Sequence, residues 1–413
     1  MFKQLYGSIG LFILLILGGC KGGSDIGNTN TVPNEIVQTC NVASSIAPAS
    51  FTGVYPIPVP TQRLDPSIQR SVGLKDYYSG STCSYSVTLD RLQKLGVDRV
   101  WVYNYGVWDD FSKPVWSIAD NNWQIPQASF AHLLSEAKKR NIKVFLALQF
   151  TAIDSKGSML PFGQNISASM LQSMLDSHRK TLTSITNKYG NDLGGVSLDW
   201  NAFHIANMQD HTERWATNMV ALANEIRTTF SGVITYGQIG VPHYDSRIFN
   251  LIDEIHISLA PRLTATENSN ISVSLLKTKF IEQIDQLHTQ LLNSTKPVIW
   301  EIAVQSRDKY FLEGWVEDGF CIIPNGNGAP IDYNNPLCAQ KNYVTDFSIQ
   351  AIGVEAALQA IASQNKFTTK SVDFHTSYWH TDTVTPGNEG FPNLSQSIRN
   401  KPAELIVKYW FAR

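Results

Sequence analysis

Two carboxylates in this sequence close apolar runs, where paired carboxyl groups can do acid–base and nucleophilic chemistry. Asp199 ends the run VSLD at 196–199, and Glu301 ends the run VIWE at 298–301. A carboxylate at the end of a buried strand is costly to desolvate unless it has a partner or a task. The sequence therefore leaves two interpretations: a pair of reacting carboxyl groups, or ion pairs with the nearby Arg262 and Arg307.

Polar and aromatic residues also follow or end the other apolar runs. Aromatic rings with polar rims suit sugars, whose C–H faces pack on rings while their hydroxyls need hydrogen bonds. Any one of these rings can equally be core packing, but their joint placement predicts a sugar-binding cleft. The predicted substrate-binding residues are Trp101, Tyr103, Asn104, Trp108, Asn201, His204, Tyr236, Gln238, His256, His375, Tyr378 and Trp379.

His256 has a more specific predicted role. It lies on a strand next to that of Glu301, so its imidazole can hydrogen-bond the carboxylate and hold it ionised. The alternative is a histidine that is simply satisfied within the core.

The elements that must position these residues alternate regularly from Thr88 onward. Helical patterns alternate with short apolar runs, which is typical of a parallel sheet covered on both faces. Strands are predicted at 99–104, 142–150, 195–200, 233–238, 254–259, 297–302 and 372–379, and helices at 129–140, 168–189, 205–230, 274–292 and 346–363.

An eighth strand within 52–75 would close a single (β/α)8 TIM barrel of the α/β class over residues 51–413. The alternative is an open doubly wound sheet, but no GxGxxG or GxxxxGK[ST] motif follows the first strand. In a barrel the active site lies at the C-terminal ends of the strands. Because strand side chains alternate, Ser197, Asp199 and Asn201 share one face, which we expect to point into the barrel mouth.

Composition excludes several functional classes. The net charge of −2 and the 16% of charged residues offer no basic field for nucleic acid. No CxxC pair and no HExxH motif is present, so neither a metal nor a cofactor is predicted. A Ser-His-Asp triad is also disfavoured, because the chain has no GxSxG motif.

The N-terminus has the three parts of an export signal: Lys3, an apolar run at 9–17, and LGGC at 17–20. The run is shorter than the roughly 20 residues of a transmembrane anchor. LGGC resembles the lipobox of bacterial lipoproteins, which implies a signal peptide at 1–19, fatty acylation of Cys20, and a flexible tether at 20–50. Lys21 is not the aspartate of inner-membrane retention, so this resemblance implies a lipid anchor in the envelope, in the outer membrane where one exists.

Four further cysteines allow disulfides in an exported chain. Cys321 and Cys338 bracket one loop and are paired first, which leaves Cys40 with Cys83. The segment 305–342 that contains the first pair is too long for a plain connection. We expect it to form a wall of the cleft.

Seven phrases resemble, in order, strands two to eight of retaining (β/α)8 glycoside hydrolases, most closely the family 113 β-mannanases. They are DRLQKLGVDRVWV, KVFLALQF, GVSLDWN, VITYGQ, DEIHISL, KPVIWEIAVQSR and HTSYWH, over roughly 88–380. The resemblance implies that Glu301 is the strand-seven nucleophile. On strand four it implies an Asn-Glu acid/base, but Asp199-Trp200-Asn201 stands there instead.

Three functions follow as hypotheses. The first is an envelope-anchored glycosidase that cleaves a polysaccharide, with Glu301 as nucleophile or base and Asp199 as proton donor. A carboxyl separation of about 5 Å implies retention and one of about 6.5–9.5 Å inversion, and the shorter Asp favours inversion. The second is a barrel that binds glycans without cleaving them, and the third is a structural envelope lipoprotein.

Overall fold

The structure is a computed structural model. It describes residues 57–75, 82–107, 127–153, 159–160, 165–200, 205, 207–238, 244–291, 294–313, 344–379 and 393–413.

Eight parallel strands form the centre of the molecule. They are β1 (Gln69–Lys75), β2 (Arg99–Val107), β3 (Lys143–Ile153), β4 (Leu193–Trp200), β5 (Val233–Gln238), β6 (Glu254–Leu259), β7 (Val298–Ile302) and β8 (Thr369–Trp379). Each pairs with the next, and β8 pairs with β1, so the sheet closes. The barrel prediction is confirmed, β1 lies within the predicted 52–75, and the open-sheet alternative is wrong. A two-residue strand, Met159–Leu160, pairs antiparallel with the end of β3.

Helices follow the strands and cover the barrel. They are α1 (Thr82–Leu95), α2 (Gln127–Lys139), α3 (Ala168–Tyr189), α4 (Thr212–Arg227), α5 (Ser246–Phe249), α6 (Ala265–Asn268), α7 (Val273–Gln290), α8 (Tyr310–Glu313), α9 (Phe347–Ser363) and α10 (Pro402–Phe411). A 3₁₀ turn, Met208–His211, precedes α4, so the predicted helix at 205–230 is two elements.

Local chemistry defines where several of these helices begin. Ser167 accepts a hydrogen bond from Met170 N at the start of α3, and Asp346 accepts from the backbone of Ser348 at the start of α9. Such N-caps satisfy backbone donors that have no partner within the helix. Among the described helices, none combines the length and the apolar character that crossing a bilayer requires.

Strand alternation divides the core into two parts. Outward-facing residues such as Val100, Leu146 and Ile257 join the large cluster between the barrel and its helices. Inward-facing rings fill the barrel itself, in a cluster of Trp101, Tyr103, Phe145, Ala147 and Ile299. The interior is therefore packed, as expected of a barrel of this size.

A glycine makes room for this inner packing. A Cβ on Gly195 of β4 would lie 2.2 Å from the Phe145 ring, so any larger residue there would displace the ring.

The segment 393–401 returns to the chain that follows β7. Ser306 N donates to the Ser395 carbonyl at 3.2 Å, and the buried Lys401 ammonium donates to both residues at 2.8 Å. Gln350 of α9 donates to the Val304 carbonyl at 2.8 Å. These bonds fix the backbone just beyond Glu301.

Candidate active site

Three ionisable side chains converge inside the barrel, on neighbouring strands. His256 Nε2 of β6 lies 3.4 Å from Glu301 Oε2 of β7 and 3.5 Å from Asp373 Oδ2 of β8. All three side chains are buried. We call His256, Glu301 and Asp373 the inner cluster.

Strand register explains why these groups meet. Glu301 is the register partner of both Ser258 on β6 and Asp373 on β8, while Ser71 of β1 is the partner of Asp373. Register partners on parallel strands point to the same side of the sheet. Ser71, Asp373, Glu301 and Ser258 therefore form a continuous inward-facing row across four strands.

Hydroxyl groups brace both carboxylates. Ser258 Oγ donates to Glu301 Oε1, and Ser71 Oγ donates to Asp373 Oδ1 at 2.7 Å. The Tyr103 hydroxyl lies 3.4 Å from Asp373 Oδ2. In each carboxylate, one oxygen accepts from a serine while the other faces His256.

The sequence predicts a hydrogen bond from His256 to Glu301; the structure places the two groups 3.4 Å apart, and the hydrogen bond stays a prediction. The Trp101 ring packs against the imidazole in a tilted arrangement, with a centroid separation of 5.1 Å. His256 therefore has one aromatic ring and two carboxylates as neighbours.

Asp199 also lies on the inner face of the barrel. It is buried, and its neighbours Val196 and Leu198 belong to the outer core, as the alternation predicts. The Ser197 hydroxyl donates to the Asp199 backbone carbonyl at 2.5 Å. The role of Asp199 as proton donor stays a prediction.

The two arginines considered as ion-pair partners of the carboxylates differ in burial. Arg307 is buried and lies 3.4 Å from Glu313, whereas Arg262 is exposed. Among the described contacts of Glu301, His256 Nε2 lies 3.4 Å from its carboxylate.

Two predicted sugar contacts require correction. The Trp101 ring is fully buried against His256, because β2 continues to Val107 rather than ending at 104 and Trp101 is only its third residue. Tyr236 is likewise fully buried, and its ring packs edge-on against Phe249 of α5 at 5.9 Å. It therefore belongs to the core between barrel and helices. Tyr103, which is 8% exposed, remains at the inner face beside Asp373.

Several predictions lie outside the described structure. Asn104, Gln238, His375, Tyr378 and Trp379 are placed on β2, β5 and β8 as backbone only, and Cys83 on α1 likewise. The remaining predicted residues lie entirely outside the described ranges; they are Cys20, Cys40, Trp108, Asn201, His204, Cys321 and Cys338. Their roles, including both disulfides, remain predictions.

Asp373, Ser71 and Ser258 are the site residues that sequence reasoning missed. Asp373 follows Val372 and precedes Phe374, both of which face the outer core. This alternation was the available signal, because it places Asp373 on the inner face.

Tyr310 supports the stretch after Glu301. Its hydroxyl donates to the Ala303 carbonyl, and burial raises the pKa of Tyr310 to about 12. The phenol therefore stays protonated at neutral pH, and keeps this donor role.

Comparison with known proteins gives the fold a precedent. No family model and no curated protein sequence matches the chain. Among solved structures, a family 113 β-1,4-mannanase is similar over 84% of this chain and 99% of its own, at 13% identity and a TM-score of 0.57. The chain has the fold of a family 113 mannanase. A second such β-mannanase, from Alicyclobacillus acidocaldarius, covers 84% of this chain and 98% of its own, at 14% identity and a TM-score of 0.56.

Proposed function

We propose that this chain is a glycoside hydrolase that cleaves a polysaccharide, with Glu301 as its reacting carboxylate. The observation that carries the proposal is the position of Glu301 on β7 inside the barrel, next to His256 and Ser258. Enzymes with this barrel place their chemistry at the C-terminal ends of the strands. The mannanases that share the fold make β-1,4-mannan the first substrate to test.

The chemistry needs two carboxyl groups with different tasks. Glu301 attacks the anomeric carbon or activates a water, and the hydrogen bond from Ser258 orients its carboxylate. Asp199, on the inner face of β4, protonates the leaving oxygen. The proton from Asp199 becomes the hydroxyl hydrogen of the departing alcohol. If Glu301 is the nucleophile, water then hydrolyses its ester to the sugar and returns a proton to Asp199; if Glu301 is the base, it takes a proton from the attacking water, and exchange with solvent resets both carboxyl groups.

Turnover of the purified full chain tests this proposal. Reducing-end release is measured on mannan, glucomannan and other β-linked polysaccharides, for the wild type, Glu301→Gln and the control Glu282→Gln. Glu282 pairs with Lys279 on the exposed face of α7. We expect Glu301→Gln to lose turnover at least about 1,000-fold while it still binds substrate, and Glu282→Gln to behave as the wild type. A Glu301→Gln protein with undiminished turnover would contradict the proposal.

A second candidate function is glycan binding without cleavage. It is favoured by the triplet Asp199-Trp200-Asn201, which stands where the resemblance implies an Asn-Glu acid/base pair. A binder would show saturable affinity for a polysaccharide and no turnover in the wild type. The Glu301→Gln substitution would then have no turnover to remove.

We also propose that the chain is anchored to the cell envelope through acylated Cys20, which would restrict its substrates to envelope or extracellular polysaccharides. The apolar run and LGGC at 9–20 support this location. Cys20→Ser should move the protein from the membrane fraction to the soluble fraction. Unchanged membrane association would contradict the lipid anchor.

A further inference from the structure

The inner cluster combines one imidazole nitrogen with two carboxylate oxygens from three adjacent strands. His256 Nε2 and one oxygen each of Glu301 and Asp373 all lie within 4.8 Å of one another, and all three residues are buried. Each side chain offers one ligand atom to the same small volume. Nitrogen and oxygen donors of these types are those that Zn²⁺ binds in proteins.

The spacing within the cluster fits coordination better than direct ion pairing. The two Nε2–oxygen distances are 3.4 and 3.5 Å. A charge-assisted N–H···O bond is shorter, at about 2.7–2.9 Å. In contrast, ligands placed about 2.1 Å from a tetrahedral centre are separated by about 3.4 Å.

The serine contacts orient the carboxylates as metal ligands are commonly oriented. Ser258 holds Glu301 Oε1 and Ser71 holds Asp373 Oδ1, which leaves Oε2 and Oδ2 directed at His256. Hydrogen bonds to the non-coordinating side of a ligand fix its orientation and tune its affinity.

Charge gives a third argument. With both carboxylates ionised, the cluster carries a net charge of −1 even if His256 is protonated. In the described part of the chain, Asp373 contacts Ser71, Tyr103 and His256 but no lysine or arginine. A buried charge costs free energy unless it is paired or coordinates a metal. A divalent cation bound to a neutral imidazole and two carboxylates brings the sum to zero.

We propose that the inner cluster binds a zinc-class divalent cation. The imidazole ligand favours Zn²⁺ over Mg²⁺ and Ca²⁺, which prefer oxygen ligands. Occupancy engages the Glu301 oxygen that faces His256, so this carboxylate can neither attack a sugar nor activate water. The cation therefore inhibits turnover. This regulatory half rests on the proposed glycosidase function, whereas binding itself does not.

Binding is tested with zinc chloride alone, on the full chain after dialysis against EDTA. Equilibrium dialysis with elemental analysis should give one Zn²⁺ per wild-type chain. His256→Ala and Asp373→Asn should abolish this binding, while His288→Gln, a histidine on α7 outside the cluster, should keep it. Circular dichroism and thermal unfolding verify that each variant is folded.

Ser71→Ala is a second test of the site, to be used if His256→Ala or Asp373→Asn fails to fold. It keeps all three ligands and removes only the hydroxyl that braces Asp373, so affinity should fall about 10- to 100-fold. No saturable binding by the folded wild type, or unchanged affinity in Ser71→Ala and Asp373→Asn, would overturn the site.

Turnover with and without Zn²⁺ tests the regulatory half separately. Zn²⁺ should inhibit turnover by the wild type, with half-maximal inhibition at the Zn²⁺ concentration that gives half-maximal binding. EDTA should restore turnover. Activation by Zn²⁺ would overturn inhibition. A chain that binds one Zn²⁺ but has no glycosidase activity would refute the proposed function and leave the metal site standing.

Discussion

Two buried ionic groups lie inside the same barrel, one towards each end. At the start of β2, Arg99 donates to Glu254 of β6 at 2.8 and 3.3 Å, and its guanidinium lies 3.9 Å from the Phe145 ring centroid. Further along the strands, the inner cluster places one imidazole between two carboxylates. Strand β6 contributes to both groups, through Glu254 and His256.

The difference between them indicates a division of labour. The Arg99–Glu254 pair is matched in charge and uses a two-pronged hydrogen-bonding geometry, which suits a permanent structural contact. The inner cluster places two carboxylates around one imidazole, and such groupings of ionisable side chains concentrate at functional sites. In (β/α)8 barrels the N-terminal end likewise serves stability and the C-terminal end serves chemistry. We therefore assign stability to the first group and function to the second.

The largest effect after loss of Glu301 is expected at Asp199. Asp199→Asn removes the proposed proton donor, so turnover on a polysaccharide should fall about 100- to 10,000-fold. An aryl glycoside with an acidic phenol needs little protonation, so its cleavage should fall far less. Steady-state kinetics on both substrates checks this, and an equal loss on both would contradict the donor role.

The anomeric configuration of the first product shows whether Asp199 and Glu301 act by inversion or by retention. Proton NMR during the first minutes of hydrolysis distinguishes the two anomers. We expect inversion, because the shorter Asp199 leaves room for a water beside Glu301. A product with retained anomeric configuration would contradict the predicted inversion.

A substitution in the Arg99–Glu254 pair should lower stability rather than turnover. Glu254→Gln leaves the buried Arg99 without its counter-charge, so the free energy of unfolding should fall by about 3–5 kcal/mol. Turnover per folded molecule should stay near that of the wild type. Urea unfolding measures the first quantity, and adding Arg99→Met should recover part of the loss. An unchanged unfolding free energy would refute the structural role.

His178 on α3 provides the smallest predicted effect, and it lies in neither group. Burial lowers the pKa of its imidazole to about 3 from the ordinary value of 6.5. The unfolded chain therefore binds a proton below pH 6.5 that the folded chain does not bind until about pH 3. Stability from this residue is complete above pH 6.5 and is lost as the pH falls, by about 2 kcal/mol at pH 5.

Urea unfolding at pH 8 and pH 5 checks this prediction with His178→Leu. The variant should lose about 2 kcal/mol less between the two pH values than the wild type does. An identical pH dependence in both proteins would rule out His178 as a source.

The barrel was predictable because its strands are buried on both faces and so read as apolar runs. The position of β1 was predicted only to within residues 52–75, because its sequence QRSVGLK mixes charged and apolar residues. Glu301 was predictable because it ends such a run. Asp373 was missed because it lies mid-strand, and its relation to Glu301 depends on the β7–β8 register. Trp101 and Tyr236 were misplaced for a related reason: their roles depend on strand length and on which face is inward, which six-residue runs do not define.

The central claim is that the inner cluster acts on substrate while the Arg99–Glu254 pair holds the barrel together. The most direct test measures turnover per folded molecule and urea unfolding on the same samples of wild type, Glu301→Gln and Glu254→Gln. We predict that Glu301→Gln loses turnover at least about 1,000-fold with little loss of stability, while Glu254→Gln loses stability and keeps turnover. Loss of stability without loss of turnover in Glu301→Gln would contradict the account.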